Sequence, residues 1–359
     1  MSSPFPDAKR AAVDRALIAA FGTAELDGAV ALSGGLSGAG LWRIRVGGVA
    51  YALRIEGPPG ALRDPARAYA CMRTAATAGL APRVHVADAG EGVAITDFAP
   101  QRSIALDYPG DGRRLAIELA QALRVLHEQP PFPRVIDYLD AVAGLIAQFR
   151  RTDLLQPDAT EELFGRFEGL KTAYRTRPGD LVSSHNDLNP GNLIYDGERL
   201  WLVDWEAAFL ADRYVDLATV AGWFTRDAAG ETTLLTTYFG RPPTPDEQAR
   251  FEVMRQVNHL FTGVIFLIGA AAERPDARLA DRTLAGPSLA SLHARLRTGD
   301  FAILAWENRV AYAKARLSAA LQGLRSPAFA QALAAVSSPS AGGPWSPAAG
   351  RDRRSPTPG

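Results

Sequence analysis

Apolar positions recur along this chain with two periods, and the change from one to the other divides it. Within residues 7–21 they fall at helical spacing (Ala11, Val13, Leu17, Ile18, Phe21) and stop at Gly22, which predicts a leading helix. From 28 to 56 the pattern shortens. Residues 30–32, 41–46 and 49–55 read as strands, the last two joined by a Gly47-Gly48 turn. A helix is expected over 63–78, ending at Gly79-Leu80-Ala81-Pro82, and strands over 83–87 and 93–98 flank the turn Gly90-Glu91-Gly92. Beyond Pro100 the helical period takes over, in 113–128, 138–150, 160–175 and 301–324. The longest apolar run, 260–272, is short for a bilayer-spanning segment and reads as a buried helix.

The expected architecture is therefore α+β with two lobes. A small antiparallel β-rich lobe occupies 1–100 and a larger α-helical lobe 101–335. The Ser-, Pro-, Gly- and Arg-rich stretch 336–359 is expected to be a disordered tail. The segment 96–100 (Thr-Asp-Phe-Ala-Pro) would be the hinge.

Residues 182–206 interrupt the helical pattern and carry the chemistry. His185-Asn186-Asp187-Leu188-Asn189-Pro190-Gly191-Asn192 is followed by a short strand at 193–195, a turn at Asp196-Gly197 and the run Leu200-Trp201-Leu202-Val203-Asp204-Trp205-Glu206. A hairpin with loop 196–199 sets Asn192 opposite Val203, beside Asp204. An amide oxygen and a carboxylate then converge at one end of a two-stranded ribbon, a donor set suited to Mg²⁺ shared with phosphates. His185, Asp187, Leu188 and Asn192 match the kinase catalytic-loop spacing H-R-D-L-x-x-x-N, with Asn186 in place of Arg. Asp187 is the candidate catalytic base.

The combination H-N-D-L-N-P-G-N with V-D-W-E resembles the aminoglycoside phosphotransferase and choline kinase superfamily, whose fold is protein-kinase-like. The D-W-E ending and Tyr214-Val215-Asp216-Leu217-Ala218 look most like its choline and ethanolamine kinase branch. The resemblance covers about residues 28–225 well. It implies ATP and Mg²⁺ as cofactors, with Asn192, Asp204 and Glu206 on the metal side. Glu206 would support a second ion or face a substrate amine. It implies a nucleotide loop at Gly34, Gly35, Ser37 and Gly38, where small residues let backbone N–H groups close on phosphate. Arg54 stands in L-R-I where protein kinases place a phosphate-pairing Lys, and its planar fork can hold phosphate bidentately. Adenine would meet the backbone from Asp97 to Ala99, Phe98 included. The family pattern also expects a Glu on the following helix, near Ala68 and Tyr69. No acid lies between Arg67 and Gly79. Either Asp64 substitutes, or Arg54 needs no such partner, or catalysis is impaired. Asp216 is expected to brace the catalytic loop.

Composition adds a few exclusions. With 359 residues and a formal net charge of zero, nothing favours a nucleic-acid partner or insertion into a membrane. Cys71 is the single cysteine and the first ten residues carry no apolar signal core, so a reducing, cytoplasmic setting is expected. The acceptor is expected to be a small molecule bearing a hydroxyl, in the first place an amino alcohol. Aminoglycoside, thiamine or sugar acceptors, or a non-catalytic nucleotide-binding role, stay open. Aromatic residues beside an acid make an ammonium cage, and Trp223, Trp306 and Glu307 are its candidates. Aromatics at helical spacing also serve as core.

Overall fold

The computed structural model describes residues 4–32, 39–57, 64–102 and 104–337. The chain opens with α1 (Arg10–Phe21), which ends at Gly22 with φ 77°, a left-handed value that glycine adopts without strain. Five strands follow: β1 (Gly28–Leu32), β2 (Gly40–Val46) and β3 (Val49–Ile55), then, after α2 (Pro65–Thr77), β4 (Val84–Asp88) and β5 (Val93–Asp97). They form one antiparallel sheet in the order β1-β2-β3-β5-β4. Gly47 and Gly48, at φ 57° and 79°, make the two-residue turn between β2 and β3, which needs positive φ at both positions. Strand alternation gives the sheet two faces. Ile44, Leu53, Val93 and Ile95 pack under Val13 and Leu17 of α1, whereas Ala94 meets Ala68 and Tyr69 of α2 on the other side.

A linker crosses to the helical lobe. It begins with α3 (Ile104–Asp107) and α4 (Gly112–His127), whose Leu115, Leu119, Leu123 and Leu126 are all buried. Next come α5 (Tyr138–Arg150) and α6 (Asp158–Ala173). Four short strands then pair in twos: β6 (Leu181–Ser184) with β9 (Phe209–Asp212), and β7 (Leu193–Tyr195) with β8 (Leu200–Leu202). The remainder is helical: α7 (Arg213–Phe224), α8 (Ala228–Phe239), α9 (Pro245–Glu273), α10 (Leu289–Thr298), α11 (Trp306–Leu324) and α12 (Pro327–Ser337). This is the two-lobed α+β arrangement that the periodicities predict.

Several elements differ from the sequence expectation. The run 260–272 is only the C-terminal half of α9, which spans 29 residues from a Thr244/Glu247 capping box. By length and composition α9 could cross a membrane, but 61 % of its apolar window is buried. It packs against α11, where Gly263 permits contact with Leu317. Helix α11 begins at Trp306 rather than 301, and α8, α10, α12 and the β6–β9 pair had no clear sequence signal. Helix α12 reaches Ser337, within the stretch assigned to the tail; residues 338–359 lie outside the described part. So does the glycine loop with Gly34, Gly35, Ser37 and Gly38.

Candidate active site

Strand β6 delivers His185 and Asn186 onto the N-terminal turn of α7. There the fully buried Asp216 accepts hydrogen bonds from the backbone amides of His185 (2.9 Å) and Asn186 (2.7 Å) and from His127 Nε2 (3.0 Å). Burial opposes the ionised carboxylate, yet the bonds from His127 and His185 outweigh it and hold Asp216 below the usual carboxylate range. Asp216 therefore braces the loop, and His127, neutral through burial, is a structural histidine. Asn186 sits at φ 65°, a left-handed conformation that Asn tolerates better than Arg would. Its side chain accepts from Ser184 Oγ at 2.8 Å and donates to the Ala207 carbonyl at 2.9 Å.

Asp187, half-buried, follows directly on that brace. Asn189 Nδ2 donates to its Oδ1 (3.0 Å) and Asn192 Nδ2 to its Oδ2 (3.1 Å), so both oxygens are oriented. Burial raises the Asp187 pKa and the nearby Asp204 charge adds to this, against the two amides and His185. The β7–β8 register places Leu193 opposite Leu202, and Val203 N donates to Asn192 O at 3.0 Å, so Asn192 does lie beside Asp204. Asp187, Asn192 and Asp204 thus meet at the mouth of the ribbon.

Asp204 is itself left-handed, φ 64°. Its Oδ1 is buried and accepts no hydrogen bond among the described residues; it is ion-paired with Arg54 Nη1 at 3.6 Å. A carboxylate oxygen without a hydrogen bond, beside an amide whose nitrogen is committed to Asp187, is a donor set for a hard cation. Among the described residues no group of three His, Cys, Asp or Glu forms a closed metal site. Mg²⁺ does not need one, since it takes one or two carboxylates and completes its shell with phosphates and water. The residues fit.

Arg54, on β3, reaches across the cleft. It pairs with Glu206 through Nη2, with Glu56 at 2.9 Å through Nε, and faces Asp204. The acid that the sequence lacks on α2 is supplied two residues along the strand, by Glu56, and by Glu206. Asp64 does not substitute: it caps α2 by accepting from Arg67 N at 3.1 Å. Helix α2 instead presents a cation. Arg67, 8 % exposed, donates to the carbonyls of Ala208 (2.6 Å) and Glu206 (2.8 Å).

The other assignments fare differently. Asp97 closes β5; its amide donates to Arg83 O at 2.9 Å and its carboxylate meets His85 Nε2 at 2.7 Å. That amide is committed to the sheet, which leaves the Asp97 carbonyl and the backbone from Phe98 onward on the hinge. Phe98 lies under the Arg43 guanidinium, 5.0 Å from its ring centre. The proposed cage does not assemble. Trp223 stacks on Tyr312 (5.5 Å) with the Arg316 guanidinium over its own ring (5.1 Å), whereas Trp306 belongs to the main core and donates its indole N–H to Ala270 O. Glu307 pairs with Arg274, which also covers the Trp306 ring at 4.7 Å. These aromatics are packed core on α7 and α11, and arginines already occupy their faces. Nearer the base stands Tyr138 of α5, in contact with Phe261 (6.0 Å). Burial, then the charges of Asp187 and Asp216, push its phenol well above the ordinary value, and its hydroxyl has no hydrogen-bond partner among the described residues. No motif marks Tyr138 or Arg67. Glu56 was visible beside Arg54 but carried no pattern.

A β-sheet lobe over a helical lobe, with a base, an amide and a carboxylate between them, defines a kinase-like phosphotransferase fold. The chain belongs to the phosphotransferase enzyme family, whose model matches residues 28–250. An aminoglycoside 3′-phosphotransferase of Streptomyces ribosidificus is 31 % identical over 140 residues, covering 35 % of this chain and 52 % of that protein. A thiamine kinase of Escherichia coli is 34 % identical over 103 residues, 29 % of this chain and 36 % of that protein. The matches span about half or less of these relatives' lengths. Among solved structures, a choline/ethanolamine kinase family protein from Mesorhizobium loti superposes with a TM-score of 0.63 at 22 % identity, covering 92 % of this chain and 99 % of that one. Choline kinase LicA from Streptococcus pneumoniae gives 0.58 at 14 % identity, covering 86 % and 98 %. At such identities the likeness is one of fold.

Proposed function

We propose that the protein is a small-molecule kinase that transfers the γ-phosphoryl group of ATP to a hydroxyl of an amino alcohol of the choline or ethanolamine kind. One observation carries the phosphotransfer reading. Asp187, oriented by two amides and raised in pKa by burial, stands beside a carboxylate oxygen of Asp204 that accepts no hydrogen bond among the described residues and has only Arg54, at 3.6 Å, opposite it. Asp187 would accept the proton of the attacking hydroxyl as that oxygen bonds to the γ-phosphorus and ADP departs. Asn192 and Asp204 would hold Mg²⁺, which when bound neutralises charge on the phosphate oxygens. Arg54, presented by Glu56 and Glu206, would meet the phosphates from the sheet side. The protein contributes position and charge, which is most of what this reaction requires.

The lack of an acid on α2 is not a reason to read the chain as non-catalytic, because Arg54 has carboxylate partners without it. An amino-alcohol acceptor is supported by the Asp204-Trp205-Glu206 ending. A screen of ATP consumption over amino alcohols, thiamine, sugars and aminoglycosides, with Asp187→Ala as control, tests both parts. Turnover lost in the variant supports phosphotransfer by Asp187. Turnover with aminoglycosides alone would replace the acceptor, a reading the S. ribosidificus relative favours, and turnover unchanged in Asp187→Ala would end the proposal.

A further inference from the structure

The segment that carries Asp204 and Glu206 is held from both sides by side chains of different parts of the molecule. Three successive carbonyls, those of Glu206, Ala207 and Ala208, each accept a side-chain hydrogen bond. Arg67 of the small lobe donates to the first (2.8 Å) and third (2.6 Å); Asn186 of the catalytic loop donates to the middle one (2.9 Å). Each donor is fixed from behind. The Arg67 amide donates to the cap residue Asp64 at 3.1 Å, and the Asn186 amide donates to Asp216 at 2.7 Å. Both residues are buried, Arg67 at 8 % and Asn186 at 2 % exposure.

The strain on this segment gives the grip a purpose. Asp204 is a non-glycine residue at φ 64°, a conformation that persists only where surroundings over-determine it. A segment held in this conformation needs support from its neighbours to keep the Asp204 carboxylate in place. We infer that Arg67 and Asn186 form a clasp between the lobes whose task is to aim Asp204 at the cation. They are positioning residues: neither touches substrate, and both act through the backbone two to four residues beyond the ligand. Helix α2 then contributes to catalysis through a cation on a peptide backbone, in place of an acid on the strand arginine. Closure of the small lobe and readiness of the metal side become one event. Arg67 cannot reach the 206 and 208 carbonyls unless α2 is seated on this turn.

This inference rests on the reading of Asn192 and Asp204 as metal-side residues, and the test separates the two. Mg²⁺ is titrated calorimetrically into the full-length protein complexed with ADP, for the wild type, Arg67→Met, Arg67→Lys and Asn186→Gly. Glycine at 186 retains the left-handed backbone while removing the donor. Exposed Arg73→Met on the same helix is the control. The expected result is a Mg²⁺ dissociation constant raised on the order of ten-fold or more in Arg67→Met and Asn186→Gly, as for other supports of metal ligands. Arg67→Lys should lie between them and the wild type, and ADP affinity without Mg²⁺ should not move. Loss of kcat in these variants should be recovered at high Mg²⁺, which a general folding defect would not show. Mg²⁺ affinity within two-fold of wild type in Asn186→Gly and in folded Arg67→Met overturns the clasp. If Arg67→Met does not fold, Asn186→Gly decides. Absence of Mg²⁺ uptake by the wild-type ADP complex overturns the site reading itself, and the clasp with it.

Discussion

The Asp216 carboxylate and the Asn186 amide, 2.7 Å apart, tie α7 to the loop that presents Asp187. With the His185 amide and His127 on the same carboxylate, removal of Asp216 leaves buried donors unpaired. Asp216→Ala is expected to lose about 3–5 kcal/mol of stability, measured by urea denaturation. Since the folded-state pKa is depressed, this stabilisation is present at neutral pH and fades as pH falls through the folded value. Asp216→Ala should therefore show a weaker acid dependence than the wild type.

Asp187 makes no comparable structural contribution. Asp187→Ala should lower kcat by about 10²–10⁴-fold while thermal stability and ADP binding stay near wild type. In the wild type, the acid limb of kcat/KM for the acceptor should fall above the ordinary carboxylate range, because burial raises this group. A limb in the ordinary range would argue against Asp187 as the base.

A second buried acid works in the opposite direction to Asp216. Asp212 caps α7 by accepting from Tyr214 N at 3.0 Å and accepts from the Tyr174 hydroxyl at 2.6 Å. Burial, and then Asp180, push its pKa up to about 6. With the folded value above the unfolded one, its stabilising contribution is complete below the ordinary carboxylate range and is lost as pH rises to about 6. Asp212→Asn keeps a capping oxygen and cannot ionise. Unfolding free energies of this variant, measured from pH 4 to 7, should lack the corresponding fall.

Two glycines of α9 should respond with opposite signs to alanine. A Cβ on Gly263 would lie 2.6 Å from Leu317 Cδ2 and 3.0 Å from the Ala313 carbonyl, at the contact with α11. Gly263→Ala should destabilise by about 1–3 kcal/mol through overpacking. Gly269 has nothing within 4 Å of a Cβ, and Gly269→Ala should stabilise by about 0.5–1 kcal/mol through reduced chain entropy. Thermal melts of the pair check both signs.

How much was legible in the chain follows from how local each signal is. The turn at Gly47-Gly48, the loop 196–199 and the pairing of Asn192 with Val203 are set by residues within a few positions of one another, so the sequence alone determined them. The same holds for the α5 bounds and for the spacing from His185 to Asp204 that places base and metal-side residues on one ribbon. Tertiary structure decided the rest. Whether Trp223 and Trp306 share a cage depends on how α7, α9 and α11 pack, and a helical period records burial without naming the partner. The partners of Arg54 and Arg67 lie across the cleft, more than a hundred positions away for Glu206 and Ala208. The L-R-I context marks Arg54 as a phosphate-side cation without naming its carboxylate partners, and Arg67 reads as an ordinary helix cation. A hydrogen bond to a backbone carbonyl, as Arg67 makes, asks nothing of the side chain it faces, and so leaves no residue pattern to find.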